Sequence, residues 1–202
     1  LVRSRVLLGL TVVTSLVMFA DSAVSPIFAI LVNRVLNTPP ESIGYLSSAY
    51  GVGTILGAAV LPLLKSGVTE GKLLSVGVFL IGGQMLAYSR IPVFWLALPL
   101  QLISGFGFAF LLNTTRTLFQ TVAPRNVVGR TVAASIAFSS LLNLFAVKGG
   151  GLMADHVGPR TVFFVNGVLC MGCAMLSLYV VKVRGQDSKA AQTNRLKEAM
   201  RS

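Results

Sequence analysis

At 202 residues, 54% hydrophobic and only 11% charged, with a mean hydropathy of +0.79, the chain carries more apolar surface than one water-soluble domain of its size can enclose. Its net charge of +11 would point to nucleic acid in a soluble protein, but the basic residues fall at the ends of apolar stretches and not on one face among aromatics. Composition therefore excludes a soluble globular domain and a nucleic-acid partner, and leaves the lipid bilayer as the solvent.

A spanning helix needs roughly 20 mainly apolar residues, and no strand alternation competes with the helical reading. The sequence predicts six such helices, at about 6–32, 42–64, 73–89, 91–115, 131–153 and 161–181. The expected fold is all-α and polytopic, a bundle over 1–183 followed by a polar cytoplasmic tail over 184–202. The chain begins Leu1-Val2-Arg3, with neither a start Met nor a signal peptide, so it reads as part of a longer polypeptide.

In chain order, the first helix carries Thr11, Thr14, Ser15, Asp21, Ser22 and Ser25 at helical spacing, a polar stripe, and is interrupted by Pro26. The second has Ala49, Gly53 and Gly57 four apart, small residues that let another helix approach closely. The third has only scattered polar groups, Ser75, Gln84 and Ser89. The fourth bears Gln101 and Ser104, then Asn113, Arg116, Thr117 and Gln120 toward the cytoplasm, and Pro99 is expected to interrupt it. The fifth repeats the polar stripe with Ser135, Ser139 and Asn143, then carries Lys148 and Gly149-Gly150-Gly151. The sixth has scattered Thr161, Asn166 and Ser177, and a Cys170/Cys173 pair one turn apart that reads as core packing, since a zinc site would need two further ligands. Helices one, four and five are thus expected to border water, and three and six to border lipid.

With the amino terminus inside, thirteen basic residues (Arg3, Arg5, Lys65, Lys72, Arg116, Arg125, Arg130, Lys182, Arg184, Lys189, Arg195, Lys197 and Arg201) fall on one side, and three (Arg34, Arg90, Arg160) on the other. The positive-inside rule places both termini in the cytoplasm. The connections are short, so consecutive helices are expected to be antiparallel neighbours.

Two charges lie within the apolar runs. An ionised Asp21 on a lipid-facing helix would cost roughly 2.5 to 3.5 kcal/mol, so it needs a partner, water or a proton. Lys148 is the other, and if its helix touches the first, an Asp21–Lys148 pair relieves both costs. Such a pair either fixes packing or couples proton loading to a change of access. Enzyme readings lack support: G-x-S-x-G, H-E-x-x-H and a nucleotide-binding G-x-x-x-x-G-K-[ST] loop are all absent, and no cofactor or metal motif occurs. Any transport would run on an ion gradient.

The stretch Gln120-Thr121-Val122-Ala123-Pro124, Val128-Gly129-Arg130, then Gly150-Gly151-Leu152-Met153-Ala154-Asp155-His156-Val157-Gly158-Pro159-Arg160, resembles the last third of a major facilitator superfamily transporter. It is most similar to the bacterial branch that includes enterobactin and macrolide exporters. The resemblance covers the whole chain as the carboxy-terminal six of twelve helices and is most specific from Leu118 to Phe164. It implies that Gly129 and Arg130 open the fifth helix at a gate, Arg130 meeting lipid phosphate or a carboxylate. It also implies that Asp155, Gly158 and Arg160 form a turn motif, with Gly158 left-handed and bracketed by the charged pair. Two departures stand out: Val128 replaces the first Arg of the family's R-G-R, and Lys65 to Lys72 does not match its G-x-x-x-D-R-x-G-R-R loop, so no gate role is carried onto Glu70. The resemblance further implies a bacterial cytoplasmic membrane, and a cavity lined by the first and fourth helices of each half.

The reading that joins these expectations is a secondary transporter working by alternating access and exporting a small organic molecule, with protons as the coupling partner. Asp21 and Lys148 are its proton-coupling candidates, and Gln101, Asn113, Arg116 and Asn143 its cavity candidates. The missing amino-terminal half would be its partner. Two alternatives stay open: a self-contained six-helix protein acting as a dimer, and a non-transporting membrane scaffold subunit.

Overall fold

The structure is a computed structural model and describes residues 2–35, 38–39, 41–64, 70–122 and 128–177. It is built of helices: α1 (Val2–Ile30, running on through a π turn at Leu31–Val35), α2 (Ser42–Leu64), α3 (Glu70–Arg90), α4 (Ala97–Val122, entered through a 3-10 turn at Phe94–Leu96), α5 (Val128–Val157) and α6 (Pro159–Ser177). By length and apolarity, stretches of α1, α2, α3, α4 and α6 qualify as membrane spans, and the 30-residue α5 is the sixth helix of the bundle.

The helix pairing follows small residues. α2 crosses α4 where a Cβ on Gly53 would strike the Leu102 carbonyl and one on Gly105 would strike the Tyr50 carbonyl, so both contacts are backbone against backbone. α5 crosses α1 in the same manner, with Gly150 seated on the Ala23 carbonyl. α3 lies along α4 through Gly77 and Gly107, and against α6 through Gly82, which faces Cys170, and Gly167, which faces Leu86. The second helix of each set of three thus packs on the first helix of the other set. Membrane helices associate by this kind of close packing because lipid gives them no hydrophobic drive to pair.

The core lies where α1, α3, α4 and α6 meet. Ile27 and Leu31 of α1, Val78 and Tyr88 of α3, Leu111 of α4 and Phe163 of α6 are almost fully buried there. Cys170 and Cys173 are free thiols within the same core. α2 and α5 lie at the margin and turn large apolar side chains outward: Tyr45, Ile55 and Leu63 on α2, and Ile136, Leu144 and Phe145 on α5.

Three expectations change. Pro99 does not interrupt a helix, because α4 starts at Ala97 and Pro99 sits in its first turn, where its missing N–H has no intrahelical partner to lose. α1 continues through Pro26, and its irregularity comes later, at the π turn. The described part of the polar stripe of α5 faces a helix: Ser139 and Asn143 continue into Ala146, Gly150 and Ala154 on the face turned to α1, where the Ser139 and Ser15 hydroxyls lie 3.2 Å apart, and the side chain of Ser135 lies outside the described residues.

Most of the polar groups on α3 and α6 prove to be internal, while Thr161 at the start of α6 is exposed and donates back to the Val157 carbonyl. Ser75 shares a hydrogen bond with Ser177, and Asn166 donates to the Val162 carbonyl at 2.9 Å. Between their ends, α3 turns Val76 and Phe79 outward and α6 turns Phe164, Val165, Val168 and Met175 outward, as surfaces in lipid require.

Candidate functional site

A cavity of about 330 Å³ opens between five helices and is lined by Asp21, Val24, Ser25 and Phe28 of α1, Ser47 and Tyr50 of α2, Gln84 and Met85 of α3, Gln101 and Ser104 of α4, and Phe163 of α6. The α1 residues lie at i, i+3, i+4 and i+7, one face of a helix. That volume falls within the usual range of small-molecule sites. Asp21 is exposed to the cavity and is, among the described residues, the one charged side chain in its wall.

Behind the wall, Tyr88 holds the α3–α4 contact. Its hydroxyl donates to the Ala97 carbonyl at 3.0 Å and reaches Gln101 Oε1 at 3.4 Å, while Gln84 Nε2 donates to the same Oε1 at 3.4 Å. Gln101 is therefore fixed as an acceptor at its oxygen, and its amide nitrogen makes no hydrogen bond to a described residue. The Tyr88 ring is stacked on Phe163 at 5.7 Å and edge-on to Phe28 at 5.8 Å. Phe28 and Phe163 line the cavity, and Tyr88 packs against both from behind. Tyr50 comes from α2, whose backbone at that residue touches Gly105, so the close α2–α4 crossing sets its place in the wall.

Of the residues singled out in the sequence, Asp21 and Gln101 meet in this cavity. Asn113 does not reach it: its amide folds back onto the Ala109 carbonyl at 2.8 Å, and Arg116, nearly a turn further along α4, is exposed. Asn143 lies in the α1–α5 seam, where its Oδ1 is buried without a hydrogen-bond partner among the described residues.

Asp21 and Lys148 are not joined. Their helices do touch, but each residue stands two positions from the Ala23–Gly150 contact, about 200° around its helix. Asp21 consequently turns into the cavity and Lys148 turns out of the bundle, where it is exposed, and no ion pair joins them.

At the other end of α5, Gly158 has φ +84° and its N–H reaches the Ala154 carbonyl at 3.0 Å, a left-handed helix cap, with Pro159 opening α6 at once. Arg160 donates to the Ile91 carbonyl at 3.2 Å and so ties this turn to the α3–α4 connection, while Asp155 is exposed. Gly129 is exposed in the first turn of α5. The side chain of Arg130, the 184–202 tail and most of the Lys65 to Lys72 loop lie outside the described residues.

Ser47, Tyr50, Gln84 and Ser104 are cavity residues that the sequence did not assign to one. Gln84 carried a signal, an amide in a largely apolar helix, but Ser75, Gln84 and Ser89 are spaced irregularly and mark no single face. Tyr50 carried none, since an aromatic residue near small residues reads as packing.

The sequence profile of the Major Facilitator Superfamily matches residues 10–201. Among curated proteins, the chain is similar to the uncharacterized MFS-type transporter YfiS of Bacillus subtilis (strain 168), 26% identical over 76% of this chain and 38% of the relative. It is also similar to a second such transporter of that strain, YfmI, 24% identical over 78% of this chain and 39% of the relative. A third relative, the multidrug resistance protein MdtG of Escherichia fergusonii, is 28% identical over 52% of this chain and 26% of its own length. The chain spans less than two fifths of the length of each of these relatives.

Proposed function

Given that the chain belongs to the Major Facilitator Superfamily, and so to a membrane transporter and not an enzyme, we propose that it is the carboxy-terminal six-helix half of a twelve-helix secondary transporter. That transporter exports a small organic molecule by alternating access, driven by protons moving inward. The observation that carries this reading is the cavity: a lone carboxylate, a hydrogen-bonded amide pair and aromatic rings converge at a gap between helices that otherwise pack backbone to backbone.

A carboxylate in that position is neutral when protonated and charged when not, so its protonation state changes the cost of closing apolar helices around it. Two states of access that differ in this cost are biased by a proton gradient. Asp21 is the residue assigned to this role. Gln101 and Gln84 then fix the orientation of cargo beside it.

The exposed apolar faces of α2 and α5 are assigned to the contact with the other half, with Lys148 meeting an acidic group there. The outward direction rests on the likeness to MdtG, named for multidrug resistance, and on the resemblance to exporters. The distribution of basic residues supports cytoplasmic termini, and the likeness to bacterial transporters supports a bacterial inner membrane. Flux in inverted membrane vesicles tests the reading, using the full polypeptide, expected from a carboxy-terminal tag at about twice 21.4 kDa. An imposed pH gradient is expected to drive compound uptake that a protonophore abolishes. Uptake indifferent to the protonophore would contradict proton coupling.

A further inference from the structure

Most of the basic residues gather toward one end of the bundle, and Arg90 and Arg160 are two of the three at the other. The fold brings these two together. Arg160, in the first turn of α6, donates from Nη2 to the Ile91 carbonyl at 3.2 Å, and Ile91 directly follows Arg90, the last residue of α3. Both arginines are exposed, and neither forms an ion pair with a described residue. Asp155, the carboxylate nearest to Arg160 along the chain, is exposed near the end of α5 and stays apart from it. Arg160 also stands at a helix N-terminus, where the dipole disfavours a cation, and its guanidinium has further N–H donors that no described residue takes up. Two neighbouring cations at the end of apolar helices, with no counter-ion among the described residues, call for an anion from outside the chain.

Apolar surface continues from this pair in two directions. On the connection that follows Arg90, Val93, Trp95 and Leu96 are exposed, Trp95 at 74%. A tryptophan so placed sits at the headgroup level of a bilayer. Along α6, Arg160, Phe164, Val168 and Gly172 form one row four residues apart, a ridge of the helix surface. Phe164 and Val168 are about half exposed, and a Cβ on Gly172 would meet nothing within 4 Å, so no described residue covers the row. From Arg160 to Gly172 it runs about 18 Å at helical rise, close to the ~15 Å of hydrocarbon in one leaflet. The proposed contact with the other half uses α2 and α5, which leaves this row in lipid.

We propose that Arg90 and Arg160 together hold the phosphate of one membrane phospholipid, whose acyl chain lies along Phe164, Val168 and Gly172 and whose headgroup is flanked by Trp95. Guanidinium groups present paired N–H donors that match a phosphate. The bound phosphate bridges the α3–α4 connection and the start of α6, and so adds to the tie between Arg160 and Ile91. In the proposed topology with cytoplasmic termini this is the outer leaflet. The contact involves neither cargo nor proton.

Native mass spectrometry of the full polypeptide, delipidated in detergent and titrated with palmitoyl-oleoyl phosphatidylglycerol, tests this. Palmitoyl-oleoyl glycerol, which lacks the phosphate, dihexanoyl phosphatidylglycerol, which lacks the long chains, and inorganic phosphate are the comparators. The phosphatidylglycerol is expected to bind at least about tenfold more tightly than either truncated lipid, and millimolar inorganic phosphate is expected not to displace it. Arg90→Gln and Arg160→Gln are each expected to weaken binding about tenfold. Arg160→Gln also removes the bond to Ile91, whereas Arg90 makes no hydrogen bond to a described residue, so Arg90→Gln keeps the test standing if the other variant misfolds.

Equal binding of palmitoyl-oleoyl glycerol, wild-type affinity in Arg90→Gln, or displacement by inorganic phosphate would overturn the proposal. The last result would assign the pair to soluble phosphate. None of them touches the transport reading, which stands or falls on flux.

Discussion

Asp21 and Gln101 could be picked out from sequence because a charge or an amide in a 20-residue apolar run carries a cost that something nearby must meet. Their companions could not. Gln84, Ser47 and Tyr50 acquire meaning from the rotation of α2 and α3 about their own axes, which scattered polar residues do not fix. Lys148 shows the same limit from the other direction: its depth matched that of Asp21, but two residues of helical phase separate it from the α1 contact. Tyr88 is the residue on which the site's geometry most depends, since it is fully buried, contacts two aromatic rings and donates to Ala97 at 3.0 Å. Removing its hydroxyl in Tyr88→Phe leaves the Ala97 carbonyl without this donor and the ring packing intact. The expected loss is about 1 kcal/mol of stability, read as a lowered unfolding temperature in detergent. An unchanged unfolding temperature would mean that the hydroxyl does not hold α3 to α4.

At the scale of elements, the long apolar runs made the helices legible, while their ends and faces needed the fold. The run from Ile91 looked continuous with α4, but Pro92 and the 3-10 turn at Phe94–Leu96 delay the helix to Ala97. The Ser135, Ser139 and Asn143 stripe looked like a wet face because polarity at helical spacing is the same signal whether it meets water or another helix. Small residues were the more dependable guide, since Gly53 and Gly57 on α2 do mark a close crossing. The glycines give a paired prediction. Gly105→Ala puts a methyl group into the Tyr50 carbonyl, a backbone atom that cannot swing aside, and is expected to cost about 1–3 kcal/mol or more and to open the α2–α4 crossing. Gly172→Ala has nothing within 4 Å of the added carbon and is expected to be neutral or to stabilise α6 by up to about 1 kcal/mol. Thermal unfolding of the two variants side by side checks both, and equal effects would contradict the crossing described here.

Across the whole molecule, the pairing of α2 with α4 and of α5 with α1 leaves α1 and α4 on either side of the cavity and turns the apolar outer faces of α2 and α5 away from it. No reading of periodicity alone yields that exchange of partners, because it depends on which glycines meet which backbones. What sequence did provide at this scale was the class: an all-α membrane bundle with family features that the profile match over residues 10–201 extends to nearly the full chain. In the proposed transport cycle the energy-coupling step rests on one side chain, Asp21, in the cavity that this arrangement creates. The most direct test compares flux driven by a pH gradient in vesicles carrying equal amounts of correctly folded wild-type protein and Asp21→Asn, with folding checked by monodisperse elution and unfolding temperature. Gradient-driven flux is expected to fall to the protein-free background in Asp21→Asn while the fold is retained. Gradient-driven flux persisting at the wild-type rate in that variant would contradict it.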